Sequence, residues 1–217
     1  MAEIIKILEI IGTVAFALSG ALIAVGASLD IFGVVFVGCI TAVGGGIVRD
    51  LLLGITPPNI FASFHICLIA MITAITVFII AYINRKKFHT FKTKIEHINN
   101  FFDAVGLAAF SVTGAEVGFT HGFSDNAFII IVIGMITGVG GGIFRDILIN
   151  TTPYVFKKHI YALASIFGST LYFILRTCID NIPLASVLSM LSVVLIRLLA
   201  TKYCWNLPRV HIENDEK

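Results

Sequence analysis

Charge is what this 217-residue chain has least of. Lysine, arginine, aspartate and glutamate make up 13% of it, and 15 basic against 13 acidic residues leave a net charge of +2. A typical soluble domain carries about 25% charged residues, so the composition excludes a molecule bathed in water on all sides. The net charge is also too small to imply a nucleic-acid partner. The four cysteines, Cys39, Cys67, Cys178 and Cys204, stand singly, with no C-x-x-C and no Cys/His metal spacing among them. They read as reduced thiols, mostly inside apolar segments. Catalytic signatures are missing as well: there is no GxxxxGK followed by Ser or Thr, no GxSxG, no HExxH and no acidic cluster resembling a metal site. A dinucleotide fingerprint fails because the third small position after Gly138 and Gly140 is Ile143. The chain does not read as an enzyme, and no cofactor is called for.

What the chain has instead is apolar residues, 58% of the total, with a mean hydropathy of +0.98. Such a chain belongs in a lipid bilayer. A hydrocarbon core of ~30 Å takes ~20 helical residues. Seven segments are long enough, at roughly 4–28, 31–53, 60–83, 101–120, 127–149, 159–178 and 182–200. Backbone groups facing lipid must be satisfied within their own segment, and the period-2 alternation of a membrane barrel is absent, so each segment reads as a helix. The first has some features of a cleaved leader, with Lys6 ahead of the apolar stretch and small residues from Ala24 to Ser28.

An internal match argues for a membrane helix there instead. "EIIGTVAFALSGA" (Glu9 to Ala21) aligns with "DAVGLAAFSVTGA" (Asp103 to Ala115) at an offset of 94. The stretch "TAVGGGIVRDLLLGITPP" from Thr41 returns as "TGVGGGIFRDILINTTP" from Thr137, at an offset of 96, and 13 of 20 positions are identical between Gly38–Pro57 and Gly134–Pro153. About two residues are therefore gained in the turn around Thr120 to Asn126. Because each repeat has three spans, an odd number, the second must enter the membrane from the opposite face. The expected fold is an all-α membrane protein of seven transmembrane helices, built as two inverted three-helix repeats plus a seventh helix. Residues 1–83 form the first repeat, 84–100 a basic linker, 101–178 the second repeat, 179–201 the seventh helix and 202–217 a tail.

Loop charge sets the orientation. Arg85, Lys86, Lys87, Lys92 and Lys94 lie in the linker, Lys157 and Lys158 follow the fifth helix, and Lys202 and Arg209 lie in the tail. With seven spans all three groups fall on one side, placing the C-terminus in the cytoplasm and the N-terminus outside. The linker's basic run also suits lipid headgroups, although topology alone accounts for it.

The glycine runs admit two uses. Gly costs ~1 kcal/mol relative to Ala within a helix, so Gly44, Gly45 and Gly46, with Gly140, Gly141 and Gly142, mark places where a helix readily bends or unwinds. Unwound backbone at membrane depth must face protein or water, and its exposed dipoles suit an ion. Alternatively, Gly38, Ala42 and Gly46, with Gly134, Gly138 and Gly142, form small-residue stripes that let helices approach closely. Arg49, Asp50, Arg145 and Asp146 favour a pathway, since each ionisable residue within a span costs ~2.5–3.5 kcal/mol on insertion scales. Neighbours on a helix point in different directions, so Arg49 is expected to pair elsewhere, with Asp50 a partial partner. The apolar "LLLG" and "ILIN" that follow argue against a simple helix exit. Glu9 and Asp103 are repeat counterparts that read equally as end-anchors or pathway residues, and Glu116 and Arg197 lack counterparts. His65, His121 and His159 sit near helix ends, at the interface.

The doubled GGGxxRD followed by proline, within spans arranged as three, three and one, resembles the prokaryotic branch of the trimeric intracellular cation channel family. The resemblance covers essentially the whole chain to about residue 200. It implies a homotrimer in which each protomer carries its own pore for potassium and other monovalent cations, in the inner membrane. Gly44 to Gly46 and Gly140 to Gly142 would then be kinks in pore-lining second and fifth helices, with Arg49 and Arg145 as pathway or gating residues. The animal members carry a lysine in the glycine motif and basic lipid-binding residues. Here Ala42-Val43 and Gly138-Val139 precede the glycines. The same bacterial family is also described as including glycine transporters, so a carrier of glycine or another small zwitterion stands beside the channel reading.

Overall fold

The computed structural model describes residues 3–62, 64–85, 92–157, 160–179 and 181–205. Lys86, Lys87, Lys158, His159 and Arg209 lie outside the described residues, and of Lys92 and Lys157 only the backbone is described. Among the described residues seven helices are long and apolar enough to cross a membrane. They are α1 (Glu3–Gly26), α2 (Ile31–Leu52), α3 (Phe64–Ile83), α4 (Lys92–Gly118), α5 (Ala127–Leu148), α6 (Ala162–Ile179) and α7 (Ile182–Lys202). Single helical turns, Asn59–Ala62 and Tyr154–Lys157, follow α2 and α5. The protein is an all-α membrane protein of two inverted three-helix repeats and a seventh helix.

Side chains set the helix starts. Asp30 accepts from the Gly33 N–H at 2.7 Å, Asn126 from Ile129 at 3.1 Å and Asn181 from Leu184 at 3.0 Å, each satisfying a donor the first turn leaves unpaired. The fourth helix begins well before the expected residue 101. Residues 92–100, expected as linker, are helical because they are amphipathic: Ile95, Asn99 and Phe102 turn inward while Lys94, Glu96 and His97 are exposed. Hydropathy marks where lipid begins, not where a helix does. The extra residues of the second repeat are taken up in the π-helical turn Phe119–Phe123, where Gly122 sits at φ 86°.

The repeats meet about a pseudo-two-fold axis. α1 and α4 cross antiparallel, with Gly12 against Ala109 and Phe110, its counterpart Gly106 against Phe16, and the Phe16 and Phe110 rings 5.3 Å apart. α2 and α5 also cross antiparallel. A Cβ on Gly45 would strike the Thr137 carbonyl oxygen, and one on Gly141 would strike that of Thr41. The Gly12–Phe110 and Gly45–Thr137 contacts each have a mate with both residues exchanged for their counterparts, Gly106–Phe16 and Gly141–Thr41, the mark of a two-fold arrangement. α3 and α6 flank the pairs, and α7 packs on α6 and α4, with a smaller contact to α1.

Candidate functional site

The C-terminal turn of α5 carries Arg145 and Asp146, both buried, Arg145 with 0% exposure. The Arg145 Nη1 donates to Asp103 Oδ1 at 2.7 Å and to Ser19 Oγ at 2.8 Å, and its Nε donates to Asp146 Oδ1 at 2.8 Å. Ser19 Oγ in turn donates to Asn99 Oδ1 at 2.8 Å, and Tyr161 OH to Asp103 Oδ1 at 3.3 Å. From α7, Arg197 brings Nη2 to 3.7 Å from Asp103 Oδ2, and its guanidinium lies 4.6 Å from the Tyr161 ring centre. Two arginines thus face two carboxylates inside the bundle. A charge taken out of water is costly unless paired and hydrogen-bonded; this cluster is ion-paired throughout, while Asp103 Oδ2 and Arg145 Nη2 have no hydrogen-bond partner among the described residues.

The first repeat solves the same problem differently. Arg49, 7% exposed, places Nε and Nη2 each 2.8 Å from Asp50 Oδ1. The expectation that adjacent residues point apart is corrected here: the long arginine side chain curls back around the helix end and grips its neighbour's carboxylate with two N–H groups. Glu9, the counterpart of Asp103, is half-buried, and its carboxylate makes no hydrogen bond or ion pair among the described residues. Thr113, the counterpart of Ser19, is buried, and its hydroxyl also has no partner there.

Both aspartates have a second task that sequence reasoning missed. Asp50 Oδ2 accepts from the Asn59 N–H at 2.8 Å and Asp146 Oδ2 from the Tyr154 N–H at 2.7 Å, fastening each helix end to the turn beyond. Pro58 has no N–H, which shifts the donor one residue along in the first repeat. The apolar residues after the charges extend each helix by only two residues. α2 and α5 end at Leu52 and Leu148. Gly54 and Asn150 then take left-handed φ values of 70° and 56°, and the Ile55 and Thr151 N–H groups return to the Asp50 and Asp146 carbonyls at 2.8 Å. The Arg-Asp pairs therefore stand in the last helical turn, as an exit would place them, yet inside protein.

The glycine runs do not unwind the helices. Helical backbone continues through Gly44, Gly45 and Gly46 and through Gly140, Gly141 and Gly142, because the facing backbone packs where side chains would otherwise stand. Gly44 lies against Phe144, Gly140 against the Gly45 Cα and Gly142 against the Tyr161 hydroxyl, while Gly46 has only the Arg49 guanidinium nearby. Farther along, Gly38 lies against Ala74, Gly134 against Ser169, and Gly138 against Ser111 and Ser165. Ala42 is buried beside them.

A cavity of about 1250 Å³ opens at one end of the bundle, lined among others by Asp30, Arg85, Glu96, Asn99, Asp146 and Tyr154. Its floor is the Arg145 cluster, since Asn99 and Asp146 bond directly to Ser19 and Arg145. Ser19, Asn99 and Tyr161 were not singled out from sequence. The one available signal was Ser19, whose repeat counterpart Thr113 also carries a hydroxyl. A separate buried pair lies between α4 and α6, where Glu116 Oε2 accepts from Tyr172 OH at 2.7 Å with Arg176 Nε at 3.7 Å.

These features define a class: a seven-span membrane protein of inverted repeats, each ending a glycine-rich helix in a buried Arg-Asp pair, one of which adjoins a cavity at the end of the bundle. The chain belongs to the family described as Glycine transporter, whose model matches residues 6–82 and 100–177, one stretch in each repeat. It is 34% identical over 212 residues to the UPF0126 inner membrane protein YadS of Escherichia coli, covering 96% of this chain and 97% of that one. Against the UPF0126 membrane protein YvgT of Bacillus subtilis it is 37% identical over 166 residues, 75% and 76% of the two chains. Among solved structures, a prokaryotic TRIC channel in 0.5 M KCl superposes with a TM-score of 0.84 at 36% identity, over 95% of this chain and 100% of that one. The Rhodobacter sphaeroides orthologue of the trimeric intracellular cation channel gives 0.84 at 30% identity, over 94% and 100%.

Proposed function

We propose that this protein conducts monovalent cations, potassium among them, across the inner membrane, through a path within each protomer of a homotrimer. The path runs between α2 and α5, with α1 and α4 contributing Ser19, Asn99 and Asp103. Similarity to solved cation channels supports the reading. The observation that carries it is the fully buried Arg145, set between three oxygen-bearing side chains directly behind the cavity wall formed by Asn99 and Asp146. An arginine repels cations, but Asp103 and Asp146 cancel its charge locally. A guanidinium closing the cavity floor acts as a gate when it moves, since one elementary charge crossing 100 mV is worth ~2.3 kcal/mol. Loop basicity places the cavity mouth and the C-terminus in the cytoplasm and the N-terminus outside.

Planar-bilayer recording of the purified protein tests the reading. Unitary potassium currents are expected without any organic substrate, and Arg145→Gln is expected to change open probability. Unchanged currents from intact Arg145→Gln trimers would count against the gate. The description of the matching family is the ground for a second reading, a carrier for glycine or another small zwitterion, which the similarity to solved cation channels does not favour. That reading expects saturable glycine uptake into vesicles and no unitary steps.

A further inference from the structure

We propose that Glu9 and Thr113 form a cation-binding site in the first half of the molecule, for which Arg49 and a permeant monovalent cation compete. The proposal rests on the cation-path reading and adds to it a named site. In the antiparallel α1/α4 pair, Gly12 meets Phe110 and Phe16 meets Gly106. Carried one helical turn further in each direction, this register sets Ser19 opposite Asp103 at one end and Glu9 opposite Thr113 at the other. At the first end the two oxygens are known to hold a cation, because Arg145 Nη1 lies 2.8 Å from Ser19 Oγ and 2.7 Å from Asp103 Oδ1. At the second end the same pair of groups, a carboxylate and a hydroxyl, faces the pseudo-symmetric position.

The protein does not use those oxygens for itself. Thr113 is 3% exposed, and its buried hydroxyl has no hydrogen-bond partner among the described residues. The cation that symmetry would send there, Arg49, is gripped by Asp50 instead. Among the described residues only the second half receives a further arginine from α7, at Asp103. One carboxylate charge balances one monovalent cation, and hard oxygen ligands suit an alkali ion better than a soft metal. Release of Arg49 from Asp50 toward Glu9 would displace the ion, coupling occupancy to the position of a protein charge.

The test is the potassium concentration that half-saturates unitary conductance, measured in planar bilayers with the full-length protein. Glu9→Gln should raise it roughly tenfold, the scale of losing one charged ligand. Thr113→Val should raise it by a smaller factor, and Arg49→Gln should lower it. Arg49→Gln placed on Glu9→Gln should add nothing. An unchanged half-saturation in Glu9→Gln, or an equal effect of Arg49→Gln in both backgrounds, would overturn the site. If Glu9→Gln does not assemble, Thr113→Val and Arg49→Gln, which both keep Glu9, carry the test. Stabilisation of the purified protein by thallium(I) over choline, read as a shift in thermal midpoint, separates the two claims. Thallium protection that Glu9→Gln removes, in a protein without unitary currents, would retain the site and overturn the channel. Unitary currents with thallium protection unaffected by Glu9→Gln would do the reverse.

Discussion

In the second repeat Arg145 is held by Ser19 from α1, Asp103 from α4 and Asp146 from its own helix, and Arg197 from α7 steadies Asp103 from the far side. In the first repeat Arg49 is held, among the described residues, by Asp50 alone. The motif is the same, its helix ends are capped alike, and the glycine crossings are reciprocal. The difference lies outside the motif. A three-helix repeat can be copied, but a seventh helix can pack beside only one copy, and it brings its arginine to that one. Duplication thus builds two equivalent half-sites, and the unpaired helix makes them unequal, one fixed and one with carboxylate and hydroxyl groups to spare.

The largest blow to this comparison would come from Asp103. Asp103→Asn leaves two buried arginines short of a carboxylate and should cost roughly 3–5 kcal/mol. Glu9→Gln at the matching position removes a carboxylate that makes no hydrogen bond or ion pair among the described residues and should cost under about 1 kcal/mol. Thermal midpoints of the detergent-solubilised protein compare them directly, and equal losses would mean the halves are not distinct. The glycine crossing should respond symmetrically. Gly45→Ala and Gly141→Ala each drive a methyl into a facing carbonyl and should each cost about 2 kcal/mol, whereas Gly46→Ala, which meets only the Arg49 guanidinium at 3.6 Å, should be neutral or gain up to ~1 kcal/mol of helix propensity. A large difference between the Gly45 and Gly141 variants would show that the two-fold packing is not shared. The smallest effect is the sharpest. Ser19→Ala deprives the Arg145 guanidinium of an acceptor and should cost about 1 kcal/mol. Thr113→Val removes an unsatisfied buried hydroxyl from the equivalent place and should be neutral or slightly stabilising in the same assay.

Much of the fold was legible beforehand. Segment length and hydropathy located the spans, and two offsets located the duplication. The start of α4 was not, because Lys94, Glu96 and His97 hide an amphipathic helix from a hydropathy reading. At the site, the Arg-Asp pairs were visible as costly charges, but their partners were not. Ser19 lies 126 residues from Arg145, and Asp103 lies 42 away. Nothing local to a serine in an apolar helix announces such a contact. The expected opening of the glycine runs was a correct statement of local tendency overruled by packing. The ~1 kcal/mol that each glycine costs a helix is offset where a second backbone lies against it.

The sequence by itself determined the solvent, the number of spans and the inverted repetition, because hydrophobic length and self-similarity are properties of the chain that folding does not alter. Only the tertiary structure decided which arginine is locked and whether the glycine runs remain helical. Both depend on what stands opposite in space, a second backbone in one case and the seventh helix's Arg197 in the other. Those neighbours are assembled from distant parts of the chain, where no local pattern records them.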